Sequence, residues 1–362
     1  MIVKDVTNYL ESIAPLQLQE SYDNAGLIIG DHLQNVNGVL VCLDVDESVV
    51  EEAIETNSNL IIAHHPLIFS GIKKINTSNF IGKLIYKAIA NNICIYAIHT
   101  NLDNVLNGVN GKIADLIGLS KRTVLMPKSN LLKLSVFTPK EHAENIKNVI
   151  LKSGAGELGN YSDCSFSSSG IGTFKPNQLA KPFVGKSNEL ESQPEVKVEV
   201  VLPSFLKSKV VWSMINAHPY EEVAYDLVSL ENNSNYGSGI VGELKNEVDE
   251  KDFLKQIKKI FKVKSLRHTR LLGRPIKRVA ICGGSGSFLL ENAINSAADI
   301  FITSDFKYHQ FFDAENKIIV ADLGHYETEQ YTIELIADLL MKNFTNFAIR
   351  LTSVNTNPIN YL

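Results

Sequence analysis

Cysteine is scarce in this sequence, which has four in 362 residues, and no two of them form a CxxC pair. A chain of this length with so little cysteine excludes a disulfide-stapled miniprotein and is long enough for two or three domains. Three of the four cysteines lie in strand-like aliphatic runs, so we expect buried thiols. The four are Cys42, Cys94, Cys164 and Cys282.

An excess of one charge and a long hydrophobic run are also lacking. The 35 basic and 40 acidic residues give a formal charge of -5, so nothing global attracts the chain to nucleic acid or anionic lipid. No apolar run approaches the ~18 residues of a membrane helix, and no basic segment followed by an apolar stretch opens the sequence. We expect a cytoplasmic protein without membrane contact.

One stretch of the sequence occurs twice. Val39–His65 aligns without a gap with Val279–Asp305, and six of the 27 positions are identical. Each copy has the pattern of a βαβ unit, with a short apolar run, a segment of helical spacing and a second apolar run. Because such units build parallel sheets covered by helices, we expect a layered α/β core made of two pseudo-symmetric halves.

The segment between the two copies has a different character. Its elements follow the order strand, helix, strand, strand, helix, strand, and a capping box at Thr138–Glu141 is expected to begin its first helix. This order indicates an inserted α+β domain of the ferredoxin-like type. We place the first half of the core at residues 1–129, the insert at 130–245 and the second half of the core at 246–362.

Histidines and carboxylates follow the strands of both halves. A His-His-Pro sequence comes directly after the second strand of the first copy, and each half also has a histidine followed four residues later by a carboxylate. Carboxyl ends of parallel strands meet at one edge, and residues four apart share a helix face, so we expect these side chains on one rim. The six residues are His64, His65, His99, Asp103, His325 and Glu329.

This set of imidazoles and carboxylates suits Zn²⁺, Mn²⁺ or Fe²⁺ and has too many donors for one tetrahedral ion. We therefore expect two divalent ions per subunit. A carboxylate such as Glu329 can bridge them, with a shared water or hydroxide as the nucleophile.

Four segments of the sequence resemble a known family. They are Ala63–Phe69, His99–Asp103, Thr303–His309 and Gly324–Glu329, and the resemblance covers essentially the whole chain. The family consists of the dinuclear-metal, hexameric proteins called NGG-one interacting factor three-like, also described as type two GTP cyclohydrolase homologues. The middle segment resembles that family's optional insert, which is related to signal-transduction and copper-tolerance ferredoxin-like trimers. The resemblance implies a toroidal homohexamer.

The resemblance also implies a set of ligands. It places His65 and Asp103 on one metal, His64 and His325 on the other, and Glu329 between the two. His99 is not among the family's usual ligands, and we assign it a catalytic role in proton transfer or a hydrogen bond to a ligand.

Further motifs leave alternatives open. Ser304 and Asp305 occupy the repeat positions of the histidine pair and are expected to line the opposite wall of the site. Lys307 and His309 suit either an anionic substrate or a solvated surface. We interpret Gly283–Gly286 as a tight turn rather than a phosphate cradle. In the insert, Asn216–Asp226 either fixes a turn or binds a regulatory ligand.

Two classes of function fit these residues. The first is a metal-dependent hydrolase acting on a small molecule such as a nucleotide; the resemblance implies opening of the imidazole ring of GTP with release of formate, and phosphoester hydrolysis is equally compatible with the metals. The second is a metal-binding regulatory or scaffold protein without turnover. The acidic balance disfavours a ring around nucleic acid.

Overall fold

The computed structural model describes residues 1–128 and 131–362. They form two compact units: unit 1 comprises Met1–Pro127 and Asn235–Leu362, and unit 2 comprises Lys128–Ser234. The strands, numbered in chain order, are β1 (Gly26–Ile29), β2 (Gly38–Cys42), β3 (Leu60–Ala63), β4 (Cys94–Ala97), β5 (Ser120–Pro127), β6 (Leu131–Pro139), β7 (Ser165–Phe174), β8 (Glu191–Pro203), β9 (Tyr225–Ser229), β10 (Gly237–Val248), β11 (Arg267–His268), β12 (Ile276–Ser285), β13 (Ile300–Ser304), β14 (Ile319–Asp322) and β15 (Ala348–Leu351). The α-helices are α1 (Val3–Ile13), α2 (Glu47–Glu55), α3 (Phe80–Ala90), α4 (Thr100–Asp103), α5 (Val109–Ile117), α6 (Ala143–Lys152), α7 (Lys207–Ala217), α8 (Glu250–Ile260), α9 (Leu290–Asn295), α10 (His325–Glu329) and α11 (Thr332–Asn343).

The first sheet of unit 1 contains the first copy of the repeated stretch. Its strand order is β1-β4-β3-β2-β15, with β1 antiparallel to β4 and the remaining neighbours parallel. Every residue of β2, β3 and β4 is buried, as expected for strands covered on both faces. Val50 of α2 and Leu84 of α3 belong to the same apolar core as Leu40 and Ile61 of the strands.

The second sheet of unit 1 contains the second copy. Its order is β11-β14-β13-β12-β10-β5, in which β14, β13 and β12 are parallel and the other pairs are antiparallel. Leu290 and Ala293 of α9 pack in one core with Phe301 and Val320 of the sheet. Both sheets therefore have three parallel strands at their centre.

Strand β10 differs from the sequence interpretation. It is paired on both sides, with β5 and with β12, so residues 235–245, which we expected at the end of the insert, lie in unit 1. The expected boundary after residue 245 falls within β10, at the polar and exposed end of this strand around Asn246. The other expected boundary, between Ser129 and Asn130, lies outside the described residues.

Unit 2 is one antiparallel sheet of order β7-β8-β6-β9 with two helices. Ile146 of α6 and Met214 of α7 share an apolar core with Leu134 and Val200. The expected capping box is wrong, because β6 continues through Pro139 in register with β8, and a 3₁₀ turn at Lys140–His142 precedes α6.

The mixed α/β class predicted from the sequence is confirmed. Cys42, Cys94 and Cys282 are buried and Cys164 is half-buried. In the part of the chain that the structure describes, no helix is long and apolar enough to cross a membrane.

Candidate metal centre

The predicted rim lies within unit 1, where the carboxyl ends of β3, β4 and β14 meet. His64 and His65 follow β3 directly, and their backbone N–H groups donate to the carbonyls of Cys42 and Leu43 at 3.1 and 2.9 Å. His99 immediately precedes α4, which ends at Asp103. His325 and Glu329 are the first and last residues of α10, as the spacing of four predicted. The fold thus brings all six predicted residues to one region.

All four histidines of this region are held in the same way. In each ring Nδ1 faces a carbonyl or carboxylate oxygen, so Nδ1 carries the proton of the neutral ring and Nε2 keeps a lone pair. The Nδ1 partners are the carbonyl of Ile98 for His64 at 2.8 Å, Asp44 for His65 at 2.7 Å, Asp23 for His99 at 2.8 Å and Asp305 for His325 at 2.7 Å. Metal-bound histidines are typically oriented by partners of this kind.

The Nε2 atoms of His65 and His325 approach the same carboxylate. Oε2 of Glu329 is 3.0 Å from Nε2 of His65 and 3.1 Å from Nε2 of His325, and the two Nε2 atoms are 3.4 Å apart. Two lone pairs do not face each other at this distance without a cation between them. A proton or a metal ion fits this position.

A second group of donor atoms lies on the other side of the same carboxylate. Nε2 of His64 is 3.8 Å from Oδ1 of Asp103 and 3.8 Å from Oε1 of Glu329. His64 is fully buried, and its Nε2 and Oδ1 of Asp103 are among the described buried atoms that have no hydrogen-bond partner. Buried polar atoms are rarely left unsatisfied, so these residues fit a metal ion.

The electrostatics of the site also fit a cation. Burial and the neighbouring charge of Glu329 raise the pKa of Asp103. Burial opposes protonation of His65 and His325, but hydrogen bonds to Asp44 or Asp305 and to Glu329 outweigh it and raise both pKa values. Without an ion, protons on the imidazoles balance the buried carboxylates, and a divalent cation can replace them.

Two groups of described side chains could hold a metal ion. One is His64, His65 and His99, and the other is His65, His325 and Glu329. The distances associate His64 with Asp103 and His65 with His325, whereas the resemblance associated His65 with Asp103 and His64 with His325. The ring of His99 lies 5.3 and 5.2 Å from those of His64 and His65, so it belongs to the site whichever role it has.

Two carboxylates that orient histidines were not predicted from the sequence. Asp44 lies at the carboxyl end of β2, and its Oδ2 also accepts a hydrogen bond from the hydroxyl of Thr356 at 3.0 Å. Its position at the same sheet edge as the histidine pair could have identified it. Asp23 lies in a loop before β1 and accepts hydrogen bonds from the backbone N–H and hydroxyl of Thr100; no local sequence signal predicts this long-range contact. Asp305 was expected near the site and contacts His325.

The glycine-rich end of β12 lies close to the site. Gly284 has a φ of +64°, and a Cβ atom there would lie 2.2 Å from Oε1 of Glu329. The N–H groups of Gly283 and Gly284 donate to Asn110 at 2.9 Å and to Thr328 at 3.0 Å. These N–H groups are used within the protein, which disfavours the phosphate cradle. The expected tight turn is not formed either, because Gly283 and Gly284 belong to the irregular end of β12.

The histidine motif of the insert lies in unit 2. Nδ1 of His218 accepts from the N–H of Tyr220 at 3.1 Å, and Nε2 lies 3.1 Å from the carbonyl of Phe137. Both ring nitrogens are therefore used, and burial lowers the pKa of this histidine. This arrangement favours the turn-fixing role over the binding of a regulatory ligand by this ring.

The candidate ligands line a cavity of about 470 Å³ in unit 1. His65, His99, Asp103, His325 and Glu329 all contribute to its wall. The cavity gives a small molecule access to the inward-facing Nε2 atoms, and its size is that of a small-molecule site.

Comparison with known proteins identifies the family of this chain. The family model Duf34/NIF3 (NGG1p interacting factor 3) matches residues 1–358. The chain is 39% identical over 364 residues to a protein from Halalkalibacterium halodurans named GTP cyclohydrolase 1 type 2 homolog, with 99% of this chain and 98% of the relative covered. A protein of the same name from Bacillus subtilis is 39% identical over 367 residues, with the same coverage. The crystal structure of a Bacillus cereus protein related to NIF3 superposes with a TM-score of 0.84 at 36% identity, covering 100% of this chain and 99% of that one. The family predicted from the sequence is confirmed: this chain belongs to the Duf34/NIF3 family.

Proposed function

We propose that this protein is a hydrolase that uses two divalent metal ions and acts on a nucleotide-like small molecule. The observation that carries the proposal is that Nδ1 of all four histidines is fixed by an oxygen, while Nε2 of His64, His65 and His325 approaches the same carboxylate, that of Glu329. Zn²⁺, Mn²⁺ and Fe²⁺ all accept imidazole and carboxylate ligands. When bound, two such ions would lower the pKa of a water molecule and supply hydroxide at neutral pH.

The five predicted ligands divide around Glu329. We assign His64 and Asp103 to one ion and His65 and His325 to the other, following the distances. Oε1 of Glu329 lies near His64 and Oε2 lies near the other two histidines, so this carboxylate is placed to serve both ions. Glycine at position 284 leaves room for it, because a Cβ atom there would lie 2.2 Å from Oε1.

His99 is the candidate proton carrier. Asp23 fixes its Nδ1 at 2.8 Å and holds the ring so that Nε2 remains available, and the side chain lines the cavity. A histidine oriented by a carboxylate can take a proton from water and return it to a leaving group. This role stands beside the alternative that His99 is itself a ligand, which its position next to His64 and His65 also permits.

The substrate class follows from the relatives. They are named GTP cyclohydrolase 1 type 2 homolog, which points to the purine ring as the group that is attacked. Ring opening would consume two water molecules. The first would add to C8 and the C8–N9 bond would break to give a ring-opened formamide; the second would add to the same carbon, the C8–N7 bond would break and C8 would leave as formate, with His99 passing protons from the waters to N9 and N7. Hydrolysis of a phosphoester would instead release phosphate.

We also propose the finer architecture that the sequence indicated. The βαβ units β2-α2-β3 and β12-α9-β13 are the corresponding parts of two pseudo-symmetric halves. In unit 2, the antiparallel order β7-β8-β6-β9 supports a ferredoxin-like insert. The toroidal homohexamer comes from the family resemblance, and light scattering of the intact protein is its test.

A comparison of three variants tests the function. Glu329→Gln should lose metal and activity together, because it removes the carboxylate that serves both ions. His99→Gln should keep both ions and lose ~10²-fold or more in rate. His32→Gln, at an exposed histidine outside the cavity, is the matched control and should change neither property.

Metal content, formate and phosphate are measured for each variant with common purine bases, nucleosides and nucleotides. Loss of an ion from His99→Gln would make His99 a ligand and remove the proton-carrier assignment. Wild-type protein with both ions bound that yields neither formate nor phosphate would contradict the hydrolase and favour a metal-binding regulatory or scaffold protein.

A further inference from the structure

The cavity with the candidate ligands has an aromatic rim. Tyr22, Phe69 and Phe288 line it and remain 69%, 56% and 58% exposed, whereas Glu329 within the cavity is only 3% exposed. These aromatic residues come from three separate segments: the loop before β1, the loop after β3 and the turn after β12. Exposed aromatic rings gathered around a concave polar site are suited to stack against a flat ring.

The charge of the cavity does not suit a polyanion. None of the described residues that line it is lysine or arginine. Its wall carries four carboxylates, which are Glu20, Asp44, Asp103 and Glu329. Two divalent ions would contribute +4 against these four negative charges, which leaves a net charge of zero. Nucleoside triphosphates are normally bound where cationic side chains or free backbone N–H groups face the phosphates.

Backbone donors do not replace the missing cations. At the glycine-rich end of β12, which lines the cavity, the N–H groups of Gly283 and Gly284 donate to the side chains of Asn110 and Thr328. Lys307, which the sequence offered as a contact for an anionic substrate, is exposed and is not among the residues that line the cavity. Apart from the two ions, the side chains of the described wall and these glycine N–H groups therefore offer no site for a chain of phosphates.

We infer that the substrate is a flat, uncharged heterocycle of purine size, taken as the free base or nucleoside and not as the triphosphate. The inference rests on the proposed function, because the metal-bound nucleophile would act on the ring that the aromatic rim positions. A cavity of about 470 Å³ is large enough for a nucleoside and lies within the range of small-molecule sites. The relatives' name then describes the ring that is attacked, while the phosphates are not recognised.

Binding of matched pairs tests the inference on the full chain loaded with Zn²⁺. Calorimetry at 0.15 M salt compares guanosine with GTP and adenosine with ATP, and metal content is measured before and after each titration. At least one nucleoside should bind as tightly as its triphosphate. Phe288→Ala and Tyr22→Ala should each weaken that nucleoside at least fivefold, whereas Phe80→Ala, equally exposed at 58% but outside the cavity, should not.

Two outcomes overturn the inference while leaving the metal-dependent hydrolase intact. One is a triphosphate that binds more than tenfold tighter than its nucleoside to protein that keeps both ions. The other is ion-loaded protein that binds neither nucleoside. Failure to load ions at the start is a separate result, and it would overturn the proposed function itself.

Discussion

Asp44 orients the candidate ligand His65. Replacing Asp44 therefore tests the effect of that orientation on metal binding while His65 itself is kept. Its Oδ1 is 2.7 Å from Nδ1 of His65, and its Oδ2 is held by Thr356 at 3.0 Å. In Asp44→Asn the side chain keeps its shape but loses the charge that holds Nδ1–H and makes Nε2 a better donor to a metal. We expect His65 to remain in place and to bind its ion more weakly.

The magnitude follows from the single interaction that is lost. Replacing a partner that orients a metal-bound histidine typically costs 10- to 100-fold in affinity, which corresponds to about 1.4–2.7 kcal/mol. Only one of the two ions contacts His65 in our assignment. Competition with a chelator should therefore show one weakened Zn²⁺ and one unchanged Zn²⁺ per chain.

Asp46→Asn is the matched control. Asp46 lies two residues away and caps α2 by accepting the N–H of Val49 at 2.8 Å, a role that asparagine fills equally well. This variant should bind both ions like the wild type. If Asp44→Asn also binds both ions within twofold of the wild type, Nε2 of His65 is not a metal ligand and the assignment of that ion is refuted.

Three other perturbations have distinct expected outcomes. Gly284→Ala and Gly273→Ala both place a side chain at positive φ, so each should lower the free energy of unfolding by about 1–2 kcal/mol. Only Gly284→Ala, whose Cβ would lie 2.2 Å from Oε1 of Glu329, should also lower the metal content. Equal loss of metal in both variants would contradict the role of this close distance. Because the pKa values of His65 and His325 are raised, Zn²⁺ binding should release protons, so affinity should rise with pH and fall as the solution is acidified; calorimetry in buffers of different ionisation heat that detects no release would exclude these ligands. Excision of unit 2 alone should leave a folded, metal-binding unit 1, since the ends of β5 and β10 that flank unit 2 are paired and a short Gly/Ser linker can join them. Excision that also removes the first half of β10 should unfold unit 1. Circular dichroism that shows both products equally folded would contradict the placement of β10 in unit 1.

The sequence predicted best where a strand ends at the site. The second apolar run of the first copy is β3, at Leu60–Ala63, and outside the site one of the strands expected in the insert is β7, at Ser165–Phe174. The spacing of four in His325 and Glu329 corresponds to a short helix because both residues lie on its inward face. These features depend on local periodicity, which a single sequence contains.

Features that depend on tertiary contacts were not predictable in the same way. Thr138 and Glu141 have the spacing of a capping box, but pairing with β8 extends the strand past Thr138. The join near Asn246 is polar because it is the exposed end of a strand whose other half is buried. Asp23 contacts His99 across 76 positions of sequence, and no local pattern marks such a partner.

The central claim is that the inward-facing Nε2 atoms and carboxylates of unit 1 hold two divalent ions. Metal analysis of the purified full chain, after incubation with Zn²⁺, Mn²⁺ or Fe²⁺ and removal of free metal, tests it most directly. We expect close to two ions per chain with at least one of these metals. Trace metal with all three would contradict the dinuclear centre and every role assigned around it.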